Sequence, residues 1–157
     1  MAHILSYQTK ATVKVSLAVL MLLCGSGIYL LFRSKTLNMY RWCASFGLSD
    51  EIDSLRYAVS DWSLSEFVKF SLPDGLYCAA YILMMDAIWQ KECGWIKYAV
   101  VLSVPLFTIT SEILQYFGLV KGTFDVYDLI CYSFPPLIYI LSNYNSLKFN
   151  NLKIKTS

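Results

Sequence analysis

The stretch from Val15 to Phe32, VSLAVLMLLCGSGIYLLF, contains no charge and is about long enough to cross a bilayer core as a helix. Lys10 and Lys14 precede it, and Arg33 and Lys35 follow. Three further apolar runs come later, Gly75 to Trp89, Trp95 to Phe117 and Val126 to Ser142. The first of these is short unless Leu72 and Pro73 are counted in, and it carries Asp86 near its far end. Pro105 in the next, and Pro135-Pro136 in the last, each remove a backbone hydrogen bond and predict a kink. The runs are continuously apolar, not alternating, which disfavours a membrane barrel. The pattern predicts an all-α, polytopic membrane protein forming one domain over 1–157. Its four transmembrane helices fall at about 15–32, 73–90, 95–117 and 125–142, with a long interfacial helical segment at 33–72.

A basic region followed by an apolar run is also the form of a cleaved signal peptide. The run continues past Gly25-Ser26-Gly27, which favours a retained helix, and bulky Leu22 and Leu23 disfavour a lipoprotein at Cys24. Within 33–72, Ser63-Leu64-Ser65-Glu66 reads as a capping box, with Leu64, Phe67 and Val68 on one face of a short helix. Upstream, Ile52, Leu55, Val59 and Trp62 repeat at helical spacing behind Asp50-Glu51, acids that suit a helix N-terminus. Cys43 falls in the intervening loop. Asn143 to Ser157 reads as a short polar tail, helical in part.

Composition agrees with lipid as the solvent. Of the 157 residues 57% are hydrophobic and 15% charged, where soluble domains average about 25% charged. A net charge of +2 implies neither a nucleic-acid surface nor a polybasic lipid-binding tail. With four crossings, Lys10, Lys14, Lys91, Lys97 and the lysines of the tail fall on one side. By the positive-inside rule that side is the cytoplasm, with both termini; Arg33, Lys35 and Arg41 oppose the assignment. The five cysteines show no CxxC spacing and read as small apolar side chains. His3 is the only histidine and falls on the cytoplasmic side, so no transition metal, cofactor or Ser/His/Asp mechanism is implied.

Alternating crossings also bring the unusual polar residues to one end. Asp74 starts the second span, Glu112 and Gln115 close the third on one helical face, and Asp125 and Asp128 open the fourth. Arg33 and Lys121 join them. Carboxylates near the membrane interior usually face the bundle and are paired, which makes this group a candidate site. Helix capping alone is an equally good account of Asp125 and Asp128, and of Asp74 after Pro73. Glu112 differs, because the dipole at a helix C-terminus opposes negative charge; Arg33, Lys35 or Lys121 would have to answer it, or a proton. The carboxylates suit Mg²⁺ or Ca²⁺, but nothing fixes a ligand count. Asp86, beside Trp89, reads as an interfacial charge with Lys91 or Lys97 as partner.

Four short spans, Glu112-x-x-Gln115 at the end of the third, the linker Gly122-Thr123-Phe124-Asp125 and Asp128 opening the fourth resemble the VanZ-like family of small bacterial membrane proteins. The resemblance covers roughly Pro73 to Ser142. It implies a protein of the bacterial inner membrane, whose founding member is associated with low-level teicoplanin resistance. The chain departs from the family in reading SLPDGLYCAAY where an Asp-Lys and a His are usual, and in having Cys131 and Phe134 where Asn and Gly are. Three readings stay open. The polar end binds a cell-wall precursor, a lipid headgroup or a glycopeptide; it is the site of an enzyme acting on a lipid-linked substrate; or the chain is a structural subunit packing through Gly25, Gly27, Ala79 and Ala80.

Overall fold

A computed structural model describes residues 2–92 and 94–155, with side chains described over 8–92 and 94–144. Cys93 and the side chains of His3, Lys148, Lys153 and Lys155 lie outside these. Among the described residues the chain forms seven α-helices and no strand: α1 (Ala2–Phe32), α2 (Asn38–Ser45), α3 (Ser49–Ala58), α4 (Glu66–Phe70), α5 (Leu72–Ile88), α6 (Trp95–Tyr116) and α7 (Val126–Lys155). Two stretches, Gln8–Phe32 of α1 and α6, are long and apolar enough to cross a membrane. Only 11% of the apolar window in the first, and 17% in the second, is buried. A core helix of a soluble protein shows the reverse.

α5 is the hub. It packs along α1 most extensively and also against α7 and α6. Contacts along its length set the directions. On α1, Ser26 accepts a hydrogen bond from the Tyr77 hydroxyl at 3.3 Å, while Lys14 meets Asp86, so α1 and α5 run antiparallel. Tyr81 reaches the Val100 carbonyl of α6 at 3.0 Å, and Lys97 reaches Asp86, again antiparallel. Gly75 lies against Cys131 of α7, where an added Cβ would stand 3.1 Å from the Cys131 Cβ, and Tyr139 reaches Asp86; α5 and α7 therefore run parallel. Cys78, Ile82, Val101 and Tyr139 form the small core where α5, α6 and α7 meet. α1 stands on the other flank of α5.

The segment between α1 and α5 is helical and tied down. The Arg56 side chain from α3 donates to the Leu30 carbonyl and, at 2.8 Å, to the Arg33 carbonyl. It thus answers the orphan carbonyls that end α1, where a cation also suits the dipole. Lys35 and the Tyr40 hydroxyl both hold Asp53, at 2.6 and 2.9 Å. These bonds keep the Asp53 carboxyl below its usual range, and Asp53 raises the Lys35 ammonium above its own. Burial of the ring, together with Asp53, pushes the Tyr40 hydroxyl up.

Several boundaries differ from the sequence reading. Cys43 lies in α2, which the sequence did not announce. α4 is capped by Ser65, whose hydroxyl accepts from the Val68 amide at 3.4 Å, so Ser63 is not the cap and Leu64 precedes the helix. Glu66 is then the first helical residue instead of the third, and no reciprocal box forms. α7 stays helical to Lys155, well past the expected end of the span at 142. Pro105 and Pro135-Pro136 each lie inside a continuous helix, which is compatible with the expected kinks.

Candidate functional site

Polar side chains gather at both ends of α5. At its N-terminal end, Pro73 occupies the first turn, where a missing amide does no harm, and Asp74 follows it. The Tyr132 hydroxyl of α7 donates to the Asp74 carboxylate, and Arg33, Asp128 and Glu112 all lie within electrostatic range of it. The Arg33 guanidinium sits 4.7 Å from the Tyr29 ring centroid and 5.3 Å from that of Phe70. Glu112 is only 7% exposed, and its Oε2 accepts a long hydrogen bond, 3.4 Å, from the Asp125 amide. Asp125 precedes α7 and caps it, its Oδ1 accepting from the Tyr127 amide at 2.8 Å. Asp128 lies in the first turn of α7, and its Oδ1 is buried without a hydrogen-bond partner.

The connection from α6 to α7 sets these distances. α6 ends in a Schellman motif: the Gly118 amide donates to the Gln115 carbonyl and the Leu119 amide to the Leu114 carbonyl, both at 2.9 Å. Gly118 supplies the left-handed residue the motif needs, at φ +68. Gly122, at φ +147, lies so close to the Gln115 amide that an added Cβ would stand 2.6 Å from it. Tyr116 then packs edge-on against Phe124 at 5.1 Å. Gln115 thereby closes the turn and Glu112, one turn back on the same face, reaches the start of α7.

No family model, curated protein or solved structure matches this chain.

Of the residues singled out from sequence, Asp74, Glu112, Asp125, Asp128 and Arg33 come together. Gln115 touches the turn, and Lys121 is exposed on it. The expected cation for Glu112 is not Lys35, which is engaged by Asp53; the carboxylate rests on a backbone amide instead. Among the described residues no three His, Cys, Asp or Glu side chains are arranged to hold a metal ion. Four carboxyl groups against the Arg33 guanidinium and the exposed Lys121 ammonium leave the end acidic and rich in acceptors.

The opposite end of α5 holds a group the sequence only partly revealed. Asp86 is 6% exposed. It is bonded by Lys14 of α1, by Lys97 of α6 at 2.7 Å and by the Tyr139 hydroxyl of α7 at 3.0 Å, so one carboxylate joins all four long helices. Lys97 is one of the two partners expected from sequence; Lys14 falls seventy-two positions away, and only the antiparallel pairing of α1 with α5 brings it there. Lys91 is exposed.

Proposed function

We propose that the chain is an integral protein of the bacterial inner membrane, VanZ-like in kind, with α1, α5, α6 and α7 all crossing and both termini in the cytoplasm. Its acidic end faces outward and binds a cell-wall precursor, a lipid headgroup or a glycopeptide antibiotic. The observation that carries this reading is the separation of two polar ends by an apolar waist. Along α1, Lys14 and Arg33 are nineteen residues apart, roughly 28 Å at 1.5 Å per residue, close to the ~30 Å hydrocarbon core of a bilayer. Between them Leu20 and Leu23 point outward, 56% and 66% exposed. The engagement of Lys14 by Asp86 favours a retained α1 over a cleaved leader. α5 is shorter, 17 residues, and Trp89, which ends it, and Trp95, which begins α6, are suited to an interfacial belt on the cytoplasmic side. Exposed Trp42 and Trp62 give α2, α3 and the segment after them the same character on the outer side.

An end with four carboxylates against one arginine and one exposed lysine favours a ligand that brings ammonium groups or many N–H donors, since added negative charge there is repelled. Glu112 and Asp128 are the binding residues in this reading, with Asp74, held by Tyr132, beside them. The test is teicoplanin susceptibility of a sensitive bacterial host making the full chain or its Glu112→Gln variant, at matched abundance in the membrane. Protection by the parent and loss in the variant is expected; equal susceptibility with both would contradict a role for this end in resistance. A second reading, an enzyme working on a lipid-linked substrate, draws on the unpartnered Oδ1 of Asp128, an acceptor free to take a proton. Turnover by purified protein of a phospholipid whose headgroup carries an ammonium, lost in Asp128→Asn, would establish it.

A further inference from the structure

α1 and α7 do not close on each other. Both pack on α5, and a groove of about 490 Å³ runs between them with α5 as its floor, within the ~300–1,000 Å³ range of small-molecule sites. Ala79, Ile82 and Leu83 form the floor, with Leu17 and Met21 on one wall and Ile138 on the other. The small side chain of Ala79 gives the groove its depth. Leu17 and Ile138 are 41% and 49% exposed, so the groove opens sideways, to lipid in the membrane reading.

The groove is polar at one end only. Lys14, Asp86 and Tyr139 stand there with Ser142 and Asn143. The last two spend donors on backbone, Ser142 on the Ile138 carbonyl at 2.8 Å and Asn143 on the Tyr139 carbonyl at 2.9 Å. Lys14 is different: its side chain is 31% exposed, and an ammonium has three donors, of which Asp86 takes one. Lys14 and Lys97 share that single carboxylate, leaving one surplus positive charge at the mouth. From Asn143 back to Phe134 the α7 wall is nine residues long, roughly 14 Å, the depth of one leaflet of a ~30 Å core.

We propose that this groove holds one acyl chain of an anionic phospholipid from the cytoplasmic leaflet, with the headgroup phosphate on Lys14. The apolar length accounts for the chain, the lateral opening for its entry from the bilayer, and the surplus charge for preferring a phosphate without a compensating ammonium. This rests on the membrane reading but not on any ligand at the acidic end.

The test uses the full chain reconstituted in phosphatidylcholine vesicles. These contain a minor fraction of either phosphatidylglycerol or phosphatidylcholine carrying a photoactivatable diazirine at mid-chain. Phosphatidylglycerol should label the peptides of α1 and α7 that wall the groove about fivefold more than phosphatidylcholine does. Lys14→Gln should remove that preference and Lys14→Arg keep it. Ala79→Leu, which fills the floor while leaving Lys14 and Asp86 in place, should lower labelling by both lipids. Equal labelling by the two lipids, labelling indifferent to Ala79→Leu, or a light-induced dimer joined through the groove walls would each overturn the proposal. Failure of the chain to float with the vesicles would instead overturn the membrane reading beneath it.

Discussion

Replacing Asp86 by alanine removes the carboxylate on which three other helices converge. It strands Lys97, whose side chain is 12% exposed, and Lys14, at 31%, and it leaves the buried Tyr139 hydroxyl without its acceptor. Breaking a fully buried ion pair from one side costs about 3–5 kcal/mol. Lys14, partly exposed already, can swing its long stem out of the cluster and recover water, so the lower end, about 3 kcal/mol, is the appropriate figure. For a chain of this length each kcal/mol moves Tm by about 2–4 °C, giving a fall of about 6–12 °C. Two single variants set the scale within the cluster. Lys97→Met should cost more than Lys14→Met, because the more exposed lysine is the better screened. The triple variant Lys14→Met, Asp86→Leu, Lys97→Met removes every charge together and should melt closer to the parent than Asp86→Ala does, since desolvated charges are replaced by packing. The assay is heat unfolding in mild detergent followed with a thiol-reactive fluorophore, for which buried Cys78 and Cys131 are built-in reporters. A melting point for Asp86→Ala within about 2 °C of the parent, or a triple variant less stable than Asp86→Ala, would refute the cluster as the tie between the helices.

Arg56→Gln should free the end of α1 by removing charge-assisted hydrogen bonds worth about 1.5–3 kcal/mol, seen as faster amide hydrogen exchange over residues 30–60 with α5 to α7 unchanged. The Lys35–Asp53 link has a sign set by its two shifts. The Asp53 carboxyl lies below its ordinary 3.8, so its contribution is complete above that pH and is lost as pH falls through the lowered value. The Lys35 ammonium lies above 10.5, so its part is complete below that pH and is lost as pH rises through the raised value. Exchange protection over 35–56 should therefore hold through the neutral range and drop in strong acid, and Lys35→Gln should flatten the acid limb. Gly118→Ala forces a left-handed non-glycine residue at about 1–2 kcal/mol, read as a lower Tm. Gly122→Ala should be worse, because its Cβ also strikes the Gln115 amide, and Gln115→Ala should relieve only part of that loss.

Much of this architecture could be read from residue order, for identifiable reasons. Runs such as Val15 to Phe32 and Trp95 to Phe117 betray their helices because nothing polar interrupts them, and Gly118 and Asp125 mark where one helix stops and the next begins. Alternation of the runs alone places Asp74, Glu112 and Asp128 at one end, where the structure also has them. What sequence left obscure depends on tertiary geometry or on near-degenerate local chemistry. Ser63 and Ser65 are equally good caps on paper, and the helix start at Glu66 selects Ser65. α2 carries an apolar stripe, Met39, Trp42 and Cys43, but spans only eight residues, too few for helical periodicity to stand out. Lys14 reads as a flanking charge of the first span until the α1–α5 pairing puts Asp86 beside it. Residue order offers Glu112 a cation or a proton, whereas the tight turn through Gly122 also delivers a backbone amide, that of Asp125.

The most direct test of the central claim, four crossings with the acidic end outward, is sidedness. Single cysteines at Asp61→Cys, Lys91→Cys and Lys121→Cys, in a chain whose own five cysteines are replaced, would be probed on intact cells with a membrane-impermeant maleimide. Four crossings predict that positions 61 and 121 label from outside and position 91 only after the membrane is opened. If α1 and α6 alone crossed, positions 61 and 91 would share a side and 121 would lie on the other, and that result would contradict the account.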